Sequence, residues 1–458
     1  MILTEGKNIL LSDKVIRTTK SLCPKCLLQI DASVVRKSDR IILSKTCPGH
    51  GVFDVILSRT PDFYEELDNF YFAVMGMANK LNEFEIWPTL ECNMHCPICA
   101  IKEETDESAN IGPDCFAIER FIKKSSAQLF IISGGEPTCR ADLSSVIRSI
   151  KKFGKTVTIN TNGLKLKELA YVRTLKNSGL DRVNLQFDGF SRQAYLFYRG
   201  VDLLDLKLKA LDNLKSMDMP TVLNVTVAKD INEFDLENII DFACRNNFIN
   251  GINFFTICYT GGARDWHERN YIMPDEVIDL LEKQSQGRIL KRDVFVFQKL
   301  HLAIKSFLKQ KYCLYNQIYV LVRDKGSYQP INMFFNFKRA EPWLDRYSRL
   351  CGKNNFKAFF SLLVAIVSLF KGLRSLVLIK ELILATVSYF LKTDRYLKSK
   401  RLLYISFATG CDPYKIDESV LKYCQNEIIA MDINSGDLVN QGSDGRYCLE
   451  AERAARDL

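Results

Sequence analysis

Between residues 85 and 256 one alternation recurs along the chain. A short apolar, β-branched run is followed by a longer stretch whose apolar residues return every three or four positions. The runs at 85–90, 128–133, 156–161, 182–187, 221–227 and 251–256 predict strands. The stretches at 142–153, 166–178, 206–217 and 232–246 predict amphipathic helices. Strand–helix alternation of this kind gives a parallel sheet with right-handed crossovers. Six such units predict an α/β fold, a partial (β/α)6 barrel related to the eight-unit barrel, with its chemistry at the C-terminal ends of the strands.

The pattern changes outside this zone. In a module over 1–60, two short β-rich runs at 33–36 and 41–45 predict a small hairpin. The barrel is expected over 80–260 and a C-terminal extension over 261–458. Within the extension, 357–392 is markedly apolar with Lys and Arg spaced through it. Its longest apolar run, 358–370, has 13 residues and is broken only by Ser361 and Ser368. A membrane-spanning helix needs about 20. Lys371 and Arg374 close the run too early, so the pattern predicts a helix or helix pair joined near Gly372. Such a pair would dock peripherally on a membrane face or wall an apolar channel, without crossing the bilayer.

Composition narrows the chemistry. A chain of 458 residues implies two or three units. It carries 15 Cys but only 4 His, which makes mechanisms built on several histidines improbable. The first twenty residues show no apolar leader, so a cytoplasmic chain is expected, peripheral to the membrane at most. Many thiols in that setting point to metal rather than disulfides. A net charge of +9 fits an anionic substrate, a membrane surface or nucleic acid. No nucleic-acid fold and no aromatic-and-basic platform accompanies it, so no nucleic-acid partner is expected.

The cysteines fall in three zones, 20–57, 85–140 and 405–450. The first reads SLCPKC, then CPGHG. Two pairs at this spacing, Cys23 with Cys26 and Cys47 with His50, can close a tetrahedron around one ion. Zinc and a rubredoxin-like iron both suit such a site. In the second zone, ECNMHCPIC follows the first barrel strand and places Cys92, Cys96 and Cys99 on one loop. Three thiolates leave one iron of a [4Fe–4S] cube open to a non-protein ligand. A closed zinc site would need a fourth ligand, for which His95 is the local candidate. After the second strand comes SGGEPTCR. Gly134 and Gly135 permit close backbone approach, and Glu136 supplies a carboxylate for an ammonium.

On these residues the chain resembles the radical S-adenosylmethionine (radical SAM) enzymes, over roughly 80–260. The resemblance implies that Cys92, Cys96 and Cys99 hold the cluster, whose open iron binds the amino and carboxylate groups of S-adenosylmethionine. It implies that Gly134, Gly135 and Glu136 meet the methionine amine and that Ile98 borders the adenine. It further implies that the reduced cluster cleaves the cofactor to a 5′-deoxyadenosyl radical, which takes hydrogen from substrate. An electron donor such as a flavodoxin or ferredoxin is then required. An apolar, water-poor lumen would suit such a radical. At later strand ends Asn162, Gln186, Asp188 and Arg199 are candidates for hydrogen bonds to the ribose or carboxylate.

The CPKC…CPGHG module, LQFDGF, the YRG segment and the C-terminal cysteines together resemble the branch of tetraether lipid synthases and dihydropterin-methylating proteins. In that branch a mononuclear metal module precedes the barrel and extra clusters follow it. Cys411, Cys424 and Cys448, joined by Cys313, are candidate ligands of an auxiliary [4Fe–4S] cluster. Cys258 stays unassigned, with Cys115, Cys139, Cys244 and Cys351. The favoured expectation is radical modification of an unactivated carbon of a lipid, by C–C bond formation or methylation. Its competitor is modification of a pterin-like small molecule or a peptide. A non-catalytic metal-binding module is the third expectation, and the open cysteine trio argues against it.

Overall fold

The structure, a computed structural model, describes residues 13–81, 83–101, 113–266, 270–376, 378, 381, 399–424, 426–431 and 438–440. The N-terminal module is a four-stranded antiparallel sheet in the order β1 (Lys14–Leu22), β2 (Gln29–Lys37), β3 (Arg40–Cys47), β4 (Gly51–Ser58). The expected hairpin is its central pair, β2–β3. Of the outer strands, β1 escaped the pattern because it buries so little: KVIRTTKSL buries only Ser21. A small cluster including Val34, Ile41, Leu43 and Leu57 forms the core of this module. Helix α1 (Pro61–Met75) then leads to the barrel.

Six strands follow in sequence order, each parallel to the next: β5 (Glu83–Ile86), β6 (Leu129–Ile132), β7 (Thr156–Thr161), β8 (Arg182–Gln186), β9 (Thr221–Val227) and β10 (Ile249–Thr256). Between them run α2 (Cys115–Lys124), α3 (Leu143–Lys152), α4 (Leu169–Asn177), α5 (Arg192–Arg199), α6 (Leu204–Ser216) and α7 (Leu236–Arg245). The helices pack as their pattern requires. Leu143, Val146, Ile147 and Ile150 of α3 are buried at helical spacing and join one large core with Ile132, Ile159, Leu185 and Leu223.

The C-terminal part is not a separate extension. After α8 (Pro274–Gln284) and α9 (Lys291–Phe307) come β11 (Asn316–Asp324) and β12 (Ser327–Pro330), then α10 (Phe337–Leu350), α11 (Asn355–Ser368) and β13 (Leu402–Thr409). Strand β13 lies parallel to β10, with Thr256 opposite Thr409, and β11 pairs antiparallel on its far side. Strand β14 (Asn426–Met431) adds parallel to β5, with β15 (Leu438–Asn440) beyond it. The barrel sheet therefore draws strands from beyond residue 400. The physical reason is the exposed edge of β10, whose N–H and C=O groups would otherwise lack partners.

The lumen corrects another expectation. Facing away from the helix-packed side, the strands carry a polar belt. Asn160 Nδ2 donates to Ser133 Oγ at 3.2 Å and Asn184 Nδ2 to Asn160 Oδ1 at 2.8 Å. Asn253 Nδ2 donates to Asn224 Oδ1 at 2.9 Å, and Ser406 Oγ to Asn253 Oδ1 at 2.7 Å. Apolar side chains alternate with these along each strand, but they point to the helices.

Among the described residues no helix is long and apolar enough to cross a membrane. Helix α11 ends at Ser368, and Gly372, at φ +62°, turns the chain into a single helical turn, Leu373–Leu376. The rest of the apolar segment, apart from Leu378 and Glu381, lies outside the described residues.

Candidate active site and metal module

In the N-terminal module, Cys23 follows β1, Cys47 ends β3, and His50 stands in the turn before β4. Leu27 takes the left-handed conformation, φ +57°, so that its N–H reaches Cys23 O at 2.9 Å and closes the first turn. The turns bring four ligand atoms within 4.8 Å of one another. Cys26 Sγ lies 3.8 Å from Cys47 Sγ, while His50 Nδ1 lies 3.6 Å from Cys23 Sγ and 3.5 Å from Cys47 Sγ. A tetrahedral ion with metal–sulfur bonds of about 2.3 Å and metal–nitrogen bonds of about 2.05 Å has edges of about 3.8 and 3.5 Å. The donor set therefore fits a single ion. The His50 ring holds the Cys47 thiol down at about 6, in the thiolate form that ligates.

The second group sits at the end of β5. The loop over 87–101 carries Cys92, Cys96 and Cys99, and three glycine-bearing turns hold it. Gly135 N–H donates to Thr89 O at 2.9 Å and Glu136 N–H to Glu91 O at 2.7 Å. A Cβ on Gly134, at φ +101°, would stand 2.5 Å from Thr89 O, and one on Gly135 would stand 2.3 Å from Glu91 O. These glycines are thus required by the cysteine loop itself. On the other side Gly262 N–H donates to Cys99 O at 2.9 Å, and a Cβ on Gly261 would come within 2.4 Å of that oxygen. Gly200, at φ +76°, faces Pro97.

Glu136 does not present an open carboxylate. It is buried, and four donors already fill it: Thr138 N–H at 3.0 Å, Thr138 Oγ1 at 2.6 Å, Thr161 Oγ1 at 2.7 Å and Asn162 N–H at 2.7 Å. An ionised carboxylate offers about four lone-pair sites. Glu136 therefore braces the ends of β6 and β7. Asn162 is tied to the cysteine loop through Asn93 Oδ1 at 2.8 Å.

Asp188 is likewise fully buried and occupied. It accepts from Arg199 Nε at 2.8 Å and Nη2 at 2.9 Å, and from Gln186 Nε2. Arg199 also donates to Thr226 Oγ1 at 3.0 Å and faces the Cys96 thiol. Lys207 of α6, missed in the sequence, completes this network. Its ammonium donates to Asn162 O and, at 2.5 Å, to Gln186 Oε1. Burial pushes it down to about 7. Ile98 packs in a small apolar cluster with Tyr198, Ile257 and Tyr259.

Burial also pushes the Cys92 thiol up to about 12, and the charges of Glu136, Cys96 and Cys99 add to the rise. Among the described residues the module's four ligands are the one Cys, His, Asp and Glu group gathered to single-ion distance.

In the third zone the structure draws in a residue the sequence left unassigned. Cys258 and Cys411 each stand two residues past the paired Thr256 and Thr409. Cys258 Sγ donates to Cys411 O at 3.1 Å. Burial raises the Cys411 thiol, and the charges of Cys313, Cys424 and Cys258 raise it further. Cys448 lies outside the described residues. The metal module clasps this zone: Lys45 Nζ donates to Pro413 O at 2.6 Å and Tyr414 O at 2.9 Å, and Ser21 Oγ to Ile416 O at 2.6 Å.

A parallel barrel with three loop thiols at the end of its first strand is the framework of a radical SAM enzyme. The superfamily's model matches residues 88–243, and the model of an HMPTM N-terminal zinc ribbon domain matches residues 15–59. The chain is 30% identical over 361 residues to the 7,8-dihydro-6-hydroxymethylpterin dimethyltransferase of Methanocaldococcus jannaschii, covering 70% of this chain and 71% of that protein. This chain belongs to the radical SAM superfamily. It is also 34% identical over 164 residues to a probable GTP 3′,8-cyclase of Pyrococcus abyssi, 35% of this chain and 52% of that one. A solved structure of Streptococcus suis SuiB bound to precursor peptide SuiA is similar at 18% identity and a TM-score of 0.40, covering 51% of this chain and 50% of that chain.

When bound, a [4Fe–4S] cluster and S-adenosylmethionine supply reductive cleavage to a carbon radical. The chain's own contribution is positional. Glu136 locks the two strand ends beside the loop, Asp188 aims Arg199 at it, and Gly134, Gly135, Gly261 and Gly262 let backbone clamp it from both sides.

Proposed function

We propose that this enzyme modifies a small, polar fused heterocycle of the pterin type, with methyl transfer as the reaction. The observation that carries this reading is the similarity to the pterin dimethyltransferase over 361 residues, together with the zinc-ribbon match at 15–59. The hydrogen-bonding inner face of the barrel supports it, because a lipid chain would leave those amides without partners. Cys92, Cys96 and Cys99 hold the cluster. The carbonyls of the Gly134–Gly135–Glu136 turn take the methionine amine, and Asn162, Gln186 and Arg199 stand near the remaining polar groups of the cofactor. Zinc occupies the N-terminal module. An auxiliary cluster uses Cys411, Cys313 and Cys424 with Cys258, whose place beside Cys411 removes the need for Cys448. A one-electron protein donor reduces the enzyme. Reconstituted protein given methyl-labelled S-adenosylmethionine, dithionite and 6-hydroxymethyl-7,8-dihydropterin should yield labelled, methylated pterin by mass spectrometry. Formation of 5′-deoxyadenosine with the pterin unchanged would refute the substrate assignment.

A lipid substrate is the second reading, favoured by α11. That helix buries Ala358, Leu362 and Ala365 but leaves Phe356, Phe360 and Val367 exposed at 81%, 56% and 62%. From residue 346 to 380 the sequence holds seven basic residues and no acidic one. Such a helix suits the interface of an anionic membrane.

A further inference from the structure

The polar belt of the lumen runs along the floor of the barrel mouth. Asn160 stands one residue before the end of β7, Asn184 two before the end of β8, and Asn224, Asn253 and Ser406 three before the ends of β9, β10 and β13. At about 3.3 Å per residue this floor lies up to ~10 Å below the rim. At the rim, Glu136, Asp188, Gln186 and Lys207 already have partners in one another or in neighbouring loops.

The floor is not closed off. It consists of two hydrogen-bonded halves, each pointing one way. On one side Asn184 donates to Asn160 and Asn160 to Ser133; on the other Ser406 donates to Asn253 and Asn253 to Asn224. The halves meet between β8 and β9, which are neighbours in the sheet. At that junction Asn224 has given its carbonyl to Asn253, and its own amide N–H groups have no protein acceptor among the described residues. Asn224 is half-buried, so these donors face the lumen rather than bulk solvent. A half-buried amide held in one orientation by its carbonyl is a fixed donor. Structural amides of a closed core would be paired on both ends.

We propose that Asn224, oriented by Asn253 and Ser406, is the specificity residue that reads the substrate, and that it recognises a ring carrying a hydrogen-bond acceptor on its edge. This rests on the reading that the barrel takes a polar heterocycle, and adds which residue selects it. Arg182 Nε donates to Asn184 Oδ1 at 3.1 Å and anchors the first half of the floor, so the junction at Asn224 is where a donor remains open. A site built to donate a hydrogen bond rejects analogues that lack the acceptor far more strongly than an apolar pocket rejects an extra methylene.

The test uses the full chain, reconstituted with iron and sulfide, and two isosteric changes. Asn224→Asp keeps the acceptor for Asn253 and removes the free donor; Asn253→Asp removes the bond that orients it. Binding of 6-hydroxymethyl-7,8-dihydropterin, guanosine and a long-chain isoprenoid alcohol is measured by calorimetry, beside 5′-deoxyadenosine formation without substrate. The wild type should bind a heterocycle, and both variants should bind it about tenfold or more weakly, with basal cofactor cleavage within about twofold of wild type. Equal binding by wild type and variants overturns the role of Asn224 and leaves the heterocycle reading intact. Wild-type binding of the isoprenoid alone, or of no probe, overturns both. Should Asn224→Asp fail to accumulate, Asn224→Ser replaces it, with the same expectation.

Discussion

Replacing Gly135 with Ala isolates what the glycine pair does. The new Cβ would stand 2.3 Å from Glu91 O, 2.4 Å from Leu90 O and 2.6 Å from Leu90 C. All three are backbone atoms, so no side-chain rotation relieves the contact. Reaching even 3.0 Å requires the loop and turn to part by at least 0.7 Å. That movement strains two hydrogen bonds, Gly135 N–H to Thr89 O and Glu136 N–H to Glu91 O. Each is worth about 1 kcal/mol, and overpacking adds about 1–3 kcal/mol. The expected local cost is about 2–4 kcal/mol, concentrated on the segment that leads into Cys92. A displacement near 1 Å at a reacting centre costs on the order of 10²-fold in rate. The variant should therefore fold, bind metal in its N-terminal module normally, and form 5′-deoxyadenosine at least tenfold more slowly. Gly76→Ala is the control, since its Cβ would meet nothing nearer than Phe72 O at 4.0 Å. Iron content, metal content of the isolated protein and 5′-deoxyadenosine by chromatography are the readouts. A Gly135→Ala protein with full iron and wild-type cleavage would show that the loop does not need this close approach.

Further outcomes follow from the same geometry. Joint substitution of Cys92, Cys96 and Cys99 with Ala should abolish 5′-deoxyadenosine formation under dithionite while one ion stays in the N-terminal module; continued cleavage would sink the assignment. Cys26→Ser or Cys47→Ser should lower bound zinc by about one equivalent and loosen the 412–419 segment that Lys45 and Ser21 clasp, measured by hydrogen exchange; unchanged protection there would separate the metal from the clasp. Lys207 carries a pH signature. Its folded-state value near 7 lies below the ordinary 10.5, so the unfolded chain binds the extra proton between these values and stability rises with pH across that window. Lys207→Met should remove a slope of up to ~1.4 kcal/mol per pH unit from chemical denaturation curves, and parallel curves for the two proteins would refute it. Full-length protein should also associate with anionic but not neutral vesicles at low salt, and Phe360→Asp with Val367→Asp should end this; no affinity for anionic vesicles would remove the lipid reading.

What was legible in the sequence is what local spacing dictates. Two CxxC-type turns must converge because their bite is set by a few backbone bonds, so Cys23, Cys26, Cys47 and His50 could be grouped without a fold. Cys92, Cys96 and Cys99 lie on one loop for the same reason. The six strands from β5 to β10 were readable because apolar runs alternating with helical patterns have few other ways to bury themselves. The tertiary structure decided whatever depends on which strands become neighbours. The pairing of β13 with β10 sets Cys258 beside Cys411 across 153 residues of sequence, and no local pattern encodes that register. Glu136 looked like a free carboxylate until Thr161, the last residue of the next strand, and Asn162 just past it filled it. Asn253 reads in the sequence as a candidate contact to adenine, but the belt it belongs to was not legible, for the same reason. One Asn per strand reads as an ordinary polar position, and only the shared face of adjacent strands turns Asn160, Asn184, Asn224 and Asn253 into a floor. Side-chain period along a strand says which residues share a face, but the sheet alone determines what that face meets.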